Sequence, residues 1–301
     1  MSNGSRYIAK GFTLLFLALL LMVYAGYIRT LTVVPIKEKA YMDIKRPLNI
    51  AHRGGMALWP ENTLYAFEAA LKVGANVLEI DVWPTLDGEI VVIHDDTVDR
   101  TSNGKGLVEE MTIAELKKLD FAWRFTTEEG HTPLRDKGIT INTLEELFAR
   151  LPESNFNVDI KKESTDFADQ VVKLVKDMEM EKNVVIASFH DSVILHLQQT
   201  SPEIDTAASV AETKRFYILQ KVGLRRLHKP RSKAYQIPIK WNGLNVVSRY
   251  FIHAANLLGQ EVHVWSINDP EEMRSLISLG VDGIVTDRPD ILAKIIEEID
   301  L

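Results

Sequence analysis

From Leu48 onward the sequence predicts an α/β fold, a closed (β/α)8 barrel with a small insertion, preceded by an N-terminal hydrophobic helix. Three observations lead there. Short apolar runs rich in β-branched residues alternate with helical patterns, the signature of a parallel sheet with crossover helices. About eight such units in roughly 250 residues suit a closed barrel better than an open doubly wound sheet. Histidines and carboxylates fall where the runs end, and a barrel gathers those ends on one face.

Residues 11–28, between Lys10 and Arg29, carry no charge, which is short for a membrane-spanning helix. Two readings compete. In one, residues 1–29 are a retained single-pass anchor at the cell membrane. In the other, Arg6 and Lys10 open a secretory signal cleaved near Val23-Tyr24-Ala25, and the chain is secreted. Tyr24 and Tyr27 suit interfacial aromatics and Ala25-Gly26 is a weak cleavage site, so the anchor is preferred. Arg6 and Lys10 on one side against Arg29, Lys37 and Lys39 on the other leave the orientation open. Residues 30–47 read as a polar linker and 48–301 as the barrel.

Strands are expected near Asn49–His52, Val77–Val82, Ile90–His94, Phe156–Ile160, Val184–Ser188, Asp205–Ser209, Ala234–Ile237, Val262–Ile267 and Gly283–Thr286. Asn62-Thr63 starts a helix over Leu64–Leu71, and Thr143 starts another over Leu144–Leu151, with Glu145 and Glu146 in its first turn. The irregular stretch from about 95 to 140 reads as an insertion. The basic run Arg225–Lys233 reads first as a solvated loop and second as a surface for anionic headgroups.

With 301 residues, 46% hydrophobic and 26% charged, the chain can build a sizeable core. A net charge of −7 argues against a general nucleic-acid binder. The absence of cysteine removes disulfides, thiol catalysis and zinc–thiolate sites. No obligate protein partner is evident.

Four clusters fall at strand ends: His52-Arg53, Glu79-Ile80-Asp81, His94-Asp95 and Asp159-Ile160-Lys161. An imidazole beside a guanidinium suits a phosphate group. Residues two apart on a strand face the same side, so Glu79 and Asp81 repel unless a cation sits between them. Oxygen donors favour Mg²⁺, Ca²⁺ or Mn²⁺ over zinc. Each piece also has a plainer reading, such as carboxylates paired with arginines or histidines hydrogen-bonded in a core, but four strand ends carrying this set together favour a site. Trp265 reads equally as a pocket wall or a core aromatic, and Asn62 as a site hydrogen-bonder or a helix cap. His190 reads as scaffold.

In the stretches His52-Arg53-Gly54, Glu61-Asn62-Thr63, Glu79-x-Asp81, Thr85-x-Asp87-Gly88 and His94 through Gly106, the sequence resembles the glycerophosphodiester phosphodiesterase family. Gly138-Ile139-Thr140, Thr143 to Glu146, Val264 to Asn268 and Gly280 to Pro289 extend the match over roughly residues 48–295, an ordered set far more specific than a lone motif. The resemblance implies a TIM-type barrel and metal-dependent hydrolysis of glycerophosphodiesters to an alcohol and glycerol 3-phosphate. It implies His52 and His94 as acid–base pair, Arg53 and Lys161 on the phosphate, and Glu79, Asp81 and Asp159 on one divalent metal. Asp159 stands where the family usually has glutamate, Asn142 where proline is common, and Ser266 where threonine is frequent. The Asp-x-Lys pattern and the hydrophobic N-terminus look more like a membrane-bound branch that acts on lysophospholipids as a lysophospholipase D, releasing lysophosphatidic acid. A non-catalytic headgroup-binding barrel and a phospholipase C-like barrel are the other readings.

Overall fold

Leu48, Ile50 and Ala51 are fully shielded from solvent, as a strand covered on both faces must be. In the computed structural model, which describes residues 16–22, 24, 40–41 and 44–300, they form the first strand of the barrel. The strands are β1 (Leu48–Ala51), β2 (Val77–Pro84), β3 (Ile90–Val92), β4 (Phe156–Ile160), β5 (Val184–Ala187), β6 (Asp205–Thr206), β7 (Ala234–Ile237), β8 (Lys240–Trp241), β9 (Leu244–Asn245), β10 (Glu261–Val264) and β11 (Gly283–Thr286). The helices are α1 (Leu64–Lys72), α2 (Ile113–Leu116), α3 (Leu144–Arg150), α4 (Thr165–Asp177), α5 (Asp191–Thr200), α6 (Val210–Lys221), α7 (Arg249–Asn256), α8 (Pro270–Leu279) and α9 (Pro289–Asp300).

Eight strands pair in parallel in the order β6-β5-β4-β2-β1-β11-β10-β7, and a parallel bridge between Ala207 and Ala234 joins the two ends. The result is the TIM-type barrel. Its helices start as the sequence suggests. Thr63 caps α1 by accepting from Ala66 N, and Thr143 with Glu146 forms a capping box on α3.

The expected strand Ile90–His94 is not a barrel stave. Asp87-Gly88 turns the chain back, with Gly88 at φ 88, so β3 runs antiparallel to β2 and ends at Val92, leaving His94 beyond it. Residues beyond β3 form the insertion, whose own core holds Val98, Val108, Leu116, Phe121 and Ile141 against Val91 and Ile93. The expected strand to Ser209 stops at Thr206, because Ser209 caps α6 by accepting from Glu212 N.

The described part of the expected linker is packed rather than solvated. Ala40 and Tyr41 are buried, the Tyr41 hydroxyl donates to Phe156 O at 2.8 Å, and Arg46 Nε donates to Glu261 Oε1 at 2.8 Å. Phe156 and Glu261 begin their strands, so this segment covers the N-terminal end of the barrel. The basic run is likewise not all solvated: His228 is fully buried, its Nε2 2.9 Å from the Tyr235 hydroxyl. Residues 16–22 are helical, with Phe16, Leu17 and Leu19 to Met22 exposed. Among the described residues no helix is long and apolar enough to cross a membrane. The rest of the expected anchor, residues 1–15, 23 and 25–29, lies outside the described residues.

Candidate active site

The turn after β1 takes backbone angles that side chains rarely adopt: φ is 51 at Arg53, 81 at Gly54 and 88 at Gly55. A Cβ on Gly54 would come within 2.9 Å of Ala66 Cβ and of the Phe67 ring, so only glycine fits there. This turn brings His52 and Arg53 to the C-terminal mouth of the barrel. His52 Nδ1 donates to Asp287 Oδ1 at 2.6 Å, just past β11, and Asp287 Oδ2 accepts from Asn268 Nδ2 at 2.6 Å. Arg53 Nη1 donates to Glu61 Oε1 at 2.9 Å and its backbone N to Glu79 Oε2 at 2.8 Å.

Glu79 and Asp81 project from β2, and the parallel register of β2 with β4 sets Asp81 opposite Asp159. One ligand oxygen from each of Glu79, Asp81 and Asp159 lies within 4.8 Å of the others, all three buried. Lys161, one residue past β4, puts its Nζ 2.7 Å from Asp81 Oδ1 and 2.6 Å from Asp159 Oδ2. Arg53 Nε lies 3.3 Å from Asp81 Oδ2. The two cations therefore rest on the carboxylates.

Asn62 does not cap α1, because Thr63 does, and it does not line the cavity. It sits behind Asp81 at φ 56 and donates from Nδ2 to Asp81 Oδ2 at 2.8 Å, which fixes that carboxylate.

The charges respond to this crowding. Burial, then the neighbouring Asp81 charge, pushes the Glu79 carboxyl up to about 7. Asp81 is held below its ordinary value because Lys161 and Arg53 outweigh its burial. Burial and Asp81 raise Asp159 despite Lys161. Burial works against a protonated His52, yet Glu79 and the Asp287 hydrogen bond outweigh it and raise its pKa.

His94 borders the same cavity as His52. Its Nδ1 donates to Asp95 Oδ1 at 2.7 Å, and its backbone carbonyl accepts from Trp83 Nε1 at 3.0 Å. Arg100 clamps this side, with Nε on Asp95 Oδ2 at 2.7 Å and Nη1 on Glu61 Oε2 at 2.5 Å. The Arg100 hydrogen bond pulls Asp95 down to about 2. Both imidazoles are thus anchored through Nδ1, which leaves Nε2 for a substrate.

His52, Arg53, Glu79, His94, Asp159 and Lys161 line one cavity of about 620 Å³, and Trp265 is part of its wall, 5.9 Å from the Phe189 ring and edge-on to it. His190 is not part of the cavity lining, and its Nε2 lies 3.0 Å from Lys161 O. The anchoring partners Asp287, Asn268, Asp95, Glu61 and Arg100 received no role from sequence alone, although all stand inside the motif stretches that did attract notice.

The acidic trio fits a divalent metal. Its donors are all carboxylate oxygens, the choice of hard cations, and Asp159 Oδ1 is buried with no hydrogen-bond partner among the described residues.

A profile of the glycerophosphoryl diester phosphodiesterase family matches residues 52–291. A glycerophosphodiester phosphodiesterase of Caldanaerobacter subterraneus is 32% identical over 84% of this chain and 99% of its own length. A human lysophospholipase D is 27% identical over 80% of this chain and 83% of its own. The solved glycerophosphodiester phosphodiesterase of Agrobacterium tumefaciens superposes with a TM-score of 0.64 at 28% identity, over 81% of this chain and 98% of that one.

Proposed function

The chain belongs to the glycerophosphoryl diester phosphodiesterase family and is a phosphoric diester hydrolase acting on glycerophosphodiesters, and on that premise we propose how its residues divide the work. His52 and His94 are the acid–base pair. One takes the proton of the attacking oxygen and the other gives a proton to the departing alcohol, both through Nε2, while Asp287 and Asp95 hold the rings. Arg53 and Lys161 bind the phosphoryl oxygens. Glu79, Asp81 and Asp159 hold one divalent cation, Mg²⁺ or Ca²⁺ with Mn²⁺ as a third candidate, which when bound supplies positive charge against the charge that gathers on the phosphate.

The observation that carries this reading is the meeting, in one cavity, of two carboxylate-anchored imidazoles with the buried acidic trio. Choline and glycerol 3-phosphate released from glycerophosphocholine test it. His52→Ala and His94→Ala should each lose turnover while keeping the parent melting temperature. Substantial turnover in either variant contradicts the assignment.

We further propose that residues 11–28 hold the chain at a membrane, supported by their lack of charge and by the exposed apolar side chains at 16–22. The described residues Tyr41 and Arg46 meet the barrel at the end opposite the site. Membrane fractionation of the full chain against a chain starting at residue 40 tests the attachment.

A further inference from the structure

Ten lysines and arginines fall between Thr213 and Gln260, and all 42 acidic residues of the chain fall outside that stretch. In a chain of net charge −7 the positive charge is therefore gathered in one place. The stretch folds as one sector of the barrel: α6, the loop with the basic run, β7, the β8–β9 hairpin and α7. α6 and α7 pack together through the buried rings of Phe216 and Phe251, 5.1 Å apart.

That packing turns the other faces of the two helices outward. On α6 the outward row includes Lys214, Arg215, Ile218, Lys221 and Val222, spaced three and four apart along one side. α7 and its end add Arg249, Tyr250 and Leu257, and the loop adds Leu227 and Lys229. Ile218 is 61% exposed and Val222 62%. Lys214, Arg225, Lys229 and Lys240 form no ion pair with a described residue. The acids that meet the sector are engaged elsewhere: Glu212 is buried and accepts from Arg231 N at 3.2 Å, and Asp205 lies 3.6 Å from Lys233 Nζ.

Unpaired cations interleaved with exposed apolar side chains suit a lipid surface. Anionic headgroups take the ammonium and guanidinium groups, and the boundary of the acyl region takes the apolar ones. A nucleic acid would use the charge alone and leave Ile218, Val222 and Leu257 in water. The same anionic surface repels the acid-rich remainder of the chain, so the charge distribution selects this side.

We propose that the α6–α7 sector docks on an anionic bilayer, with Lys221, Arg225 and Lys229 on headgroups and Val222, Leu227 and Leu257 at the acyl boundary. Docking of this kind goes beyond the hydrolysis and depends neither on it nor on a span formed by residues 11–28.

The chain has no cysteine, so Val222→Cys provides a single site for an environment-sensitive fluorophore. Leu86→Cys provides a control outside the sector, 62% exposed at the turn between β2 and β3. Each labelled full chain is mixed with phosphatidylcholine vesicles, with and without phosphatidylglycerol. The emission at 222 should shift to the blue only with phosphatidylglycerol. It should return in molar salt, where screening acts over about 3 Å. The emission at 86 should not move. Arg225→Glu with Lys229→Glu should abolish the shift at 222 and keep the parent melting temperature, because both residues lie outside the core. An emission at 222 that reads water in both kinds of vesicle overturns the proposal. Equal shifts in both kinds, unmoved by salt, remove the basic residues from the contact and overturn it too. Shifts at both positions show that no one side docks, with the same consequence. A shift with duplex RNA and none with anionic vesicles assigns the sector to nucleic acid instead.

Discussion

Lys161 Nζ lies 2.6 Å from Asp159 Oδ2, and the same ammonium reaches Asp81 at 2.7 Å. Removing this cation leaves two buried carboxylates facing one another, and breaking a buried pair costs about 3–5 kcal/mol. Lys161→Met should therefore melt roughly 10 °C below the parent in chelator. An added divalent cation should narrow the gap, because it replaces the missing charge. Turnover should stay at least about 100-fold down even then, since the phosphate has lost a cation. Equal melting temperatures in chelator would show that the ammonium does not hold the carboxylates together.

Asn62 offers a cleaner probe of the acidic trio, because it touches Asp81 without lining the cavity. Its φ of 56 would strain alanine, so Asn62→Gly removes the hydrogen bond and keeps the backbone relaxed. Loss of such a supporting hydrogen bond should weaken metal affinity about 10–100-fold. Calorimetric titration with Mg²⁺, Ca²⁺ and Mn²⁺ measures this; unchanged affinity would mean that Asp81 needs no support.

Glu79 gives the metal a pH dependence whose sign is fixed by its environment. Asp81 and Asp159 face it as negative charges and raise it, while His52, Lys161 and the backbone N–H of Arg53 work the other way. Between its ordinary value of 4.5 and about 7, the folded, chelated protein holds a proton that the unfolded chain has released. Stability in chelator therefore falls as pH rises through that window. A metal must displace the same proton, so its affinity should rise about tenfold per pH unit up to about 7 and level off above. Calorimetry in buffers of different ionisation enthalpy should find about one proton released at pH 6, and Glu79→Gln should release markedly fewer. An affinity independent of pH from 5.5 to 8 contradicts this account.

Much of the site was legible because its members come in short local patterns. Glu79-x-Asp81 fixes two carboxylates on one side of β2 by strand geometry alone, and His52-Arg53-Gly54 announces a turn. What the sequence withheld were pairings across long separations. His52 meets Asp287 235 positions away, and Arg100 meets Glu61 39 positions away, contacts that exist only once the barrel brings its loops together. Two other misses had a local signal. Asp87-Gly88 and Asn242-Gly243 are hairpin dipeptides, and read as such they predict that β3 turns back on β2 and that a hairpin interrupts the chain after β7. Two-residue strands carry too little alternation to be seen by period. Tyr41 is different again: a lone aromatic in a stretch otherwise read as linker gives no hint that its hydroxyl will find Phe156 O at the barrel end.

Asp287 is the positioning residue whose removal separates support of an imidazole from simple packing. Its Oδ1 accepts from His52 Nδ1 while its Oδ2 accepts from Asn268 Nδ2, so both oxygens are committed as acceptors. An asparagine there can satisfy only one of these donors, since its amide nitrogen would face a donor on the other side. Asp287→Asn should therefore let the His52 ring turn, and kcat should fall about 100-fold or more. The charge matters separately. Asp287 helps raise His52, so its loss lowers the His52 pKa, and whichever limb of the pH–rate profile reports His52 must move to lower pH. A purely structural role would depress kcat at every pH without moving either limb. A profile unmoved in position, with kcat within about twofold of the parent, would take the Asp287–His52 pair out of the proton transfer altogether.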